Sequence, residues 1–287
     1  MSQTIIDSHI HFWNPGYLRY PWLESVPKIN RPFLPPNLIE AARQEDLQGI
    51  VFVEADCIPD HNVAEAEWVT RLAEEEPRIC GIVAAASLEE GAAVRPQLEA
   101  LARLPLVKGI RRLIQSEEAG FATQPDFIEG VQLLPDYGFS FDICIRRHQM
   151  SEIIQLVEQC PDVQFILDHF GKPDVRNNLM DPWREELQTL AEFPNVYCKI
   201  SGLATEADFD NWTHAQLQAY IRHAVETFGP NRIVYGGDWP VSLQAIQWQT
   251  WVDLIKETIR EQYGQEADSI LNRLFVENSR KFYRLTL

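Results

Sequence analysis

Long apolar runs and paired cysteines are absent from this sequence of 287 residues. No apolar stretch approaches the roughly 20 residues that a membrane-spanning helix requires. The opening "MSQTIIDSH" has neither the basic nor the apolar region of a signal peptide. The five cysteines are scattered and form no CxxC pair, which is typical of free thiols in a reducing compartment. We therefore expect a cytoplasmic protein that does not bind a membrane.

Positive charge is also scarce, since 25 Lys and Arg face 42 Asp and Glu and the net charge is -17. A nucleic acid would be repelled by such a surface, and no basic stripe compensates for it. The sequence has no GxGxxG after its first apolar segment, so a dinucleotide-binding sheet is not indicated. We expect a small molecule as the partner, with assembly into a homo-oligomer left open.

What recurs along the chain is a short β-branched run followed by an amphipathic helical stretch. The candidate strands are "TIIDSHIH", "GIVFVEAD", "ICGIVAAAS", "VKGIRRLI", "FSFDICIR", "VQFILDHFG", "NVYCKISG" and "RIVYGGDWP". Stretches between them, such as "NVAEAEWVTRLAEEE", carry apolar residues at helical spacing. Eight such units in one undivided chain predict an α/β fold, a (β/α)8 TIM barrel that forms a single domain over residues 1–287. An open doubly wound sheet is the alternative.

Two further segments complete this pattern. The amphipathic "EADSILNRLFVENSRKFYRL" near the end of the chain is expected to close the final helix layer. Residues 13–36 form the longest irregular segment and are rich in proline and aromatic side chains. A loop of this length inside a compact domain is usually functional or a lid, so one of these roles is expected there.

Polar side chains follow several of the strands, and the active sites of such barrels lie at the C-terminal strand ends. Strand one ends in His9 and His11, strand six in His169 and strand eight in Asp238. A lone His-x-His is equally typical of two hydrogen-bonded histidines near a loop. Barrel closure, however, brings strands one and eight together and places the four residues within reach of one ion. Three imidazoles and one carboxylate favour a borderline ion such as Zn²⁺ over Ca²⁺ or Mg²⁺.

The motifs "DSHIHFW", "DHFGKP" and "YGGDWP" resemble those of the amidohydrolase superfamily. The closer resemblance is to its branch of metal-dependent TIM-barrel hydrolases, which contains sugar-acid lactonases and pyrone-dicarboxylate lactonase. By this resemblance His9 and His11 match the metal-site pair, His169 the strand-six histidine, and Asp238 the aspartate that activates water. The resemblance implies one divalent metal ion, Zn²⁺, although some members of the branch work without metal. Strand five offers "DICIRR" in place of a bridging lysine, which argues against a second ion.

The resemblance and the residues together predict a hydrolase that opens the lactone ring of a sugar acid. Asp238 is expected to take the proton of the attacking water, with His169 as a second catalytic residue. Glu54 is either a further metal ligand, a partner of a substrate hydroxyl, or half of an ion pair with a rim arginine. The alternative function is a mononuclear-zinc decarboxylase of an aromatic or unsaturated acid. A barrel that binds a ligand without catalysis is disfavoured by the complete set of histidines and aspartate.

The substrate-binding side chains are expected to be cationic or aromatic: Trp13, Arg111, Arg112, Arg146, Lys199 and Trp239. Because successive side chains of a strand alternate, only one of the neighbours Arg111 and Arg112 can face inward. Lys199 either donates to the substrate or pairs with Glu54 or Asp142. Asp7 is expected on the same face as the two strand-one histidines, where it would orient a histidine or bond the barrel floor.

Overall fold

Eight parallel strands form one sheet in chain order in the computed structural model, which describes residues 2–286. The strands are β1 (Thr4–Ile10), β2 (Asp46–Val53), β3 (Ile79–Ala85), β4 (Val107–Leu113), β5 (Ser140–Cys144), β6 (Phe165–Leu167), β7 (Val196–Ile200) and β8 (Ile233–Tyr235). All eight coincide with the predicted segments. The prediction of a (β/α)8 barrel is confirmed, and the open doubly wound sheet is excluded.

The sheet closes where β1 meets the residues that follow β8. The amide of Asp238 donates to the carbonyl of His9 at 2.8 Å, and the amide of His11 donates to the carbonyl of Trp239 at 2.8 Å. Ile10 and Trp239 pair in parallel at this seam. The backbone itself therefore holds Asp238 beside the two histidines of the first strand.

Helices cover the outside of the barrel. They are α1 (Pro35–Ala41), α2 (Asn62–Glu75), α3 (Arg95–Ala102), α4 (Pro125–Gln132), α5 (Met150–Gln159), α6 (Trp183–Ala191), α7 (His214–Phe228), α8 (Trp248–Tyr263), α9 (Ala267–Asn272) and α10 (Asn278–Phe282). In α5 the buried side chains are Met150, Ile153, Leu156 and Val157, which lie on one face at helical spacing. No helix among residues 2–286 is long and apolar enough to span a bilayer.

The C-terminal segment is helical, as predicted, and then continues past the helix layer. After α9, a π-helical turn (Arg273–Glu277) and α10, the chain passes beneath the N-terminal end of the barrel. Tyr283 and Leu285 pack there in one buried cluster with side chains such as Ile6 and Val234. Tyr283 and Leu285 therefore close the lower end of the barrel, and the helices before them complete its outer layer.

The predicted lid, residues 13–36, folds back across the upper end of the barrel. Trp13 is fully buried, and its indole donates to the carbonyls of Ile29 and Arg31 at 3.3 and 2.9 Å. Trp22, in a short 3-10 helix, donates to the carbonyl of Ala55 at 2.8 Å. These bonds hold the segment against the strand ends, where it forms one wall of the cavity described below.

Asp7 does not share the face of the two histidines. The pairing of β1 with β2 shifts register between Asp7 and Ile10, and this bulge breaks the two-residue alternation. The carboxylate of Asp7 accepts hydrogen bonds from Trp248 of α8 at 2.7 Å and from the amide of Gly237 at 2.8 Å. The expectation for its side chain was therefore wrong, although Asp7 also accepts from the amide of His9 at 3.1 Å.

Candidate active site

Three histidines surround one carboxylate oxygen at the upper end of the barrel. Oδ1 of Asp238 lies 3.5 Å from Nε2 of His11, 3.8 Å from Nε2 of His9 and 4.0 Å from Nε2 of His169. All four side chains are buried. The structure thus brings together the four residues that the strand ends predict as one site.

Backbone conformation aims two of these groups inward. His169 and Asp238 follow β6 and β8 directly or nearly so, and both have left-handed backbones with φ of 53° and 52°. Residues other than glycine rarely adopt the left-handed region of φ and ψ, and backbone strain of this kind is common at functional sites. Gly202 makes room for the ring, because a Cβ there would lie 2.3 Å from Nδ1 of His169.

Hydrogen bonds fix the rings of His11 and His169. Nδ1 of His11 lies 2.8 Å from the carbonyl of Val53, so this nitrogen carries the proton and donates it. Nδ1 of His169 lies 2.9 Å from the hydroxyl of Ser201. With Nδ1 engaged in this way, Nε2 of each ring is left to face Asp238, an arrangement typical of histidines that ligate metal.

His9 lies among charged neighbours. Its Nδ1 is 3.3 Å from Oδ1 of Asp168 and 3.1 Å from Nζ of Lys199, and its Nε2 is 3.3 Å from Nη1 of Arg111. Burial lowers the pKa of His9 well below its ordinary value, and the attraction of Asp168 does not offset this. The ring is therefore a neutral imidazole at pH 7.

The pKa values of His169 and Asp238 indicate that an ionised carboxylate lies beside a neutral imidazole. Burial lowers the pKa of His169 to about 4. Burial alone would raise the pKa of Asp238, but His169, His11 and Lys172 outweigh it and hold that pKa below its ordinary value. At neutral pH the site consequently presents a carboxylate and imidazole lone pairs, the forms that proton abstraction and metal ligation require.

The donor set fits a divalent metal ion. One ligand atom each from His9, His11 and Asp238 lie within 4.8 Å of one another, and the same holds for His9, Asp168 and His169. Neutral imidazoles with a carboxylate suit Zn²⁺ or a similar ion. The Nδ1 atoms of His11 and His169 are already bonded, so these two rings offer Nε2 to an ion, whereas Nε2 of His9 also lies 3.3 Å from Nη1 of Arg111.

Glu54 forms an ion pair and does not belong to either of these ligand groups. Nε of Arg111 donates to Oε1 of Glu54 at 2.6 Å, and Nη2 donates to the backbone carbonyl of Glu54 at 2.5 Å. Nη1 lies 3.4 Å from Oδ2 of Asp168. Of the alternatives for Glu54, the structure shows the ion pair with a rim arginine, and Arg111 is the arginine that faces inward.

A cavity of about 460 Å³ is lined by His11, His169 and Asp238, and the fully buried His9 lies outside its lining. Its walls include Trp22, Asp56, Gln115, Arg146, Lys172 and Val241. The volume is within the range of small-molecule sites, and a few polar groups converge beside apolar ones.

Among the expected substrate-binding cations, Arg111 and Arg146 line the cavity, and two others lie elsewhere. Arg112 points to the opposite side of β4, where it pairs with Glu89 at 2.9 Å and Glu117 at 2.6 Å, because neighbouring side chains of a strand alternate. Lys199 is fully buried beneath the site.

The two expected aromatic platforms are packing residues. Trp13 is fully buried and Trp239 is 2% exposed, and neither lines the cavity. Both indoles pack edge-on against Phe33, at 5.6 and 5.3 Å between ring centroids. Both lie close in sequence to a candidate site residue, but burial and packing against Phe33 keep their rings out of the cavity.

Sequence reasoning missed several cavity residues. Gln115 and Lys172 lie shortly after β4 and β6, so extending the strand-end rule by a few residues would have found them. Lys172 Nζ donates to the side-chain oxygen of Gln115 and lies 3.8 Å from Glu206. Trp22, by contrast, is one of the aromatic side chains that the sequence places in the irregular segment on the active face, and it lines the cavity.

Known proteins resemble this chain over nearly its whole length. A family model described as amidohydrolase matches residues 6–285. An L-fucono-1,5-lactonase of Burkholderia multivorans is 31% identical, over 89% of this chain and 88% of that protein. An L-rhamnono-gamma-lactonase of Scheffersomyces stipitis is 24% identical over 98% of each. A crystal structure of an amidohydrolase from Burkholderia multivorans with bound zinc has a TM-score of 0.87 at 26% identity, covering 99% of this chain and all (100%) of that one.

Proposed function

The chain belongs to the amidohydrolase family, and from this we propose that it opens the lactone ring of a sugar acid by attack of water. The observation that carries the proposal is the Asp238 carboxylate, surrounded by the Nε2 atoms of three histidines at the floor of the cavity. The lactonase names of the relatives support the reaction class. They make decarboxylation of an aromatic acid the weaker alternative.

Hydrolysis of a lactone requires a base for water, an electrophile for the carbonyl oxygen and a proton for the leaving ring oxygen. Asp238 is ionised and accepts the proton of the attacking water. It then returns this proton to the ring oxygen as the carbon–oxygen bond breaks. The product is the open-chain hydroxy acid, so water is the one co-reactant.

A divalent metal is part of this proposal. His9, His11, His169 and Asp238 would hold a single Zn²⁺, which would polarise the carbonyl and lower the pKa of water. In a metal-free reaction the N–H groups of Arg111, which lines the cavity, would donate to the developing oxyanion, because His11 donates its proton to Val53 through Nδ1 and presents a lone pair at Nε2.

The walls of the cavity support a hydroxylated ring as the substrate. Gln115, Arg146 and Lys172 lie on its lining and offer an amide and two cations for hydroxyl or carboxylate oxygens. Trp22 and Val241 supply apolar surface for the C–H groups of the sugar. We assign substrate binding to these residues together with Arg111, and a role in carbohydrate metabolism follows from such a substrate.

All five cysteines are buried and unpaired, at positions 57, 80, 144, 160 and 198. Burial raises the pKa of the Cys57 thiol and the Cys198 thiol, so both are protonated and unreactive at neutral pH. Thiols kept reduced support our placement of the protein in the cytoplasm.

A parallel assay tests the reaction class. Purified protein is given a panel of aldonolactones and a panel of aromatic acids, with acid release and CO₂ release measured side by side. Acid release from lactones is expected. CO₂ release without ring opening would instead favour the decarboxylase, and thermal shifts with sugars but no turnover would favour a binding protein.

A further inference from the structure

Behind His9 a chain of buried polar side chains crosses the barrel interior. Nζ of Lys199 lies 3.1 Å from Nδ1 of His9, 2.9 Å from Oδ1 of Asp168 and 2.6 Å from Oδ2 of Asp142. These four side chains are fully buried. The position of the His9 ring therefore depends on where the ammonium group of Lys199 is held.

The other end of this chain is a residue from the C-terminal segment. The hydroxyl of Tyr283 donates to Oδ2 of Asp142 at 2.7 Å, and Tyr283 is fully buried. Its neighbour Arg284 anchors the segment by donating to the carbonyls of Lys108 at 2.8 Å and Gly138 at 2.6 Å. The tyrosine is thus fixed at the lower end of the barrel with its hydroxyl directed upward into the interior.

The hydroxyl of Tyr283 is important for the position of Lys199, because the buried carboxylates around this lysine have few partners. Asp142 and Asp168 share the single ammonium of Lys199, and Oδ1 of Asp142 has no hydrogen-bond partner within residues 2–286. Buried carboxylates are stabilised only by good pairing and hydrogen bonding. Without the hydroxyl of Tyr283, Asp142 would draw the ammonium group more strongly, away from Asp168 and His9.

We propose that Tyr283 is a positioning residue of the active site, which acts through Asp142 and Lys199 to fix the imidazole of His9. Tyr283, on the opposite side of the barrel from the cavity, thereby contributes to turnover without touching the substrate. This inference rests on the proposed function in one respect only, namely that His9 belongs to the reacting site.

The substitution Tyr283→Phe removes the hydroxyl and preserves the ring that fills the barrel floor. We expect kcat to fall about 10- to 100-fold, as happens when the outer partner of an active-site histidine is removed. KM should change by less than about threefold, since no substrate contact is lost. Phe282→Leu is the matched control, because Phe282 is also buried there, packs on Tyr197 and makes no side-chain hydrogen bond within residues 2–286. It should lower the Tm without a comparable loss of kcat.

Two further measurements separate positioning from general destabilisation. If Tyr283 acts through Asp142, the double variant Y283F/D142N should be no slower than D142N alone. The chemical shifts of the His9 ring nitrogens, measured in a long-range ¹⁵N–¹H spectrum, should change in Y283F and remain unchanged in F282L. This measurement requires no substrate.

Wild-type kcat in Y283F, additive losses in the double variant, or unchanged His9 resonances would each overturn the inference. A wild-type protein that opens no lactone would reject the proposed function instead, and the spectra would still decide the role of Tyr283.

Discussion

Burial and neighbouring hydrogen-bond partners set the protonation states of Asp238 and of the histidines around it. The rings of His9 and His169 are neutral because burial lowers the pKa of both, and the Asp238 carboxylate is ionised because its neighbours hold its pKa below the ordinary value. At the scale of single residues, this difference between the carboxylate and the imidazoles supports the proposed role of Asp238 as the base.

The substitution Asp238→Asn tests that assignment. Asparagine keeps the shape of the side chain but cannot take a proton, so kcat should fall about 10²- to 10⁴-fold. The Tm should stay close to that of the wild type. Steady-state kinetics with thermal melts checks both, and near-normal turnover would remove Asp238 from the mechanism.

The neighbours Arg111 and Arg112 provide a second test at the residue scale. Arg111→Gln leaves Glu54 and Asp168 buried without their cation, which should cost about 3–5 kcal/mol of stability and most of the activity. Arg112→Gln breaks a part-exposed pair on the outer side of β4 and should cost at most about 1 kcal/mol. Denaturant unfolding and kcat/KM of both variants decide this. Loss of activity in Arg112→Gln would contradict the orientation described here.

At the scale of elements, the lid and α2 meet beneath the cavity wall. Trp22 of the lid donates to the carbonyl of Ala55, and the amide of Ala55 lies 3.3 Å from both carboxylate oxygens of Glu65 in α2. Glu65 is 1% exposed. Burial, assisted by the charge of Glu54, raises the pKa of Glu65 to about 8. The wall of the cavity is thus supported by a carboxylic acid that is largely protonated at pH 7.

This buried acid predicts a pH dependence of stability. Between pH 4.5, the ordinary pKa, and about pH 8, the folded chain keeps a proton that the unfolded chain has released. The contribution of Glu65 is therefore fully present below pH 4.5 and is lost as the pH rises through about 8. In Glu65→Gln the side chain is neutral throughout, so this decline in the free energy of unfolding should disappear.

Urea unfolding at several pH values measures the effect. Glu67→Gln, at an exposed position of the same helix, is the control and should keep the wild-type slope. An unchanged slope in Glu65→Gln would show that Glu65 is ionised in the folded protein.

At the scale of the whole molecule, the four candidate ligands come from distant parts of the chain. His9 and His11 belong to β1 and its end, whereas His169 follows β6 and Asp238 follows β8. The ends of these three strands come close together only in the closed barrel. A metal bound at this site would link the beginning of the chain to its last strands, so metal binding and the folding of the barrel should be coupled.

The corresponding prediction is a rise in Tm when Zn²⁺ is added to metal-stripped protein. At a free concentration 100 times the Kd, binding stabilises the folded state by about 2.7 kcal/mol. The variant His11→Ala should lose most of this shift. Calorimetry beside elemental analysis tests it, and full activity with no Tm response in metal-free protein would favour the mechanism that uses Arg111.

Much of the fold and site could be predicted from the sequence because they depend on local patterns. The eight strands follow from β-branched runs between amphipathic helices, and a parallel barrel places strand ends together whatever the side chains are. His9, His11, His169 and Asp238 were found in this way. The structure adds their mutual distances, which depend on the seam between β1 and β8.

The remaining features depend on register and on long-range packing. A bulge in β1 directs the side chain of Asp7 toward α8. The alternation of side chains along β4 places Arg111 inside the barrel and Arg112 outside it. Trp22 reaches the cavity because its loop folds back over the barrel. Tyr283 lies below His9 because the C-terminal segment passes under the strands. Local periodicity cannot specify which way a bulge turns a side chain or where a loop returns, since both are set by contacts between residues far apart in the chain. Local sequence patterns therefore specify the barrel and the four candidate site residues, whereas long-range packing specifies which side chains line, support and close the site.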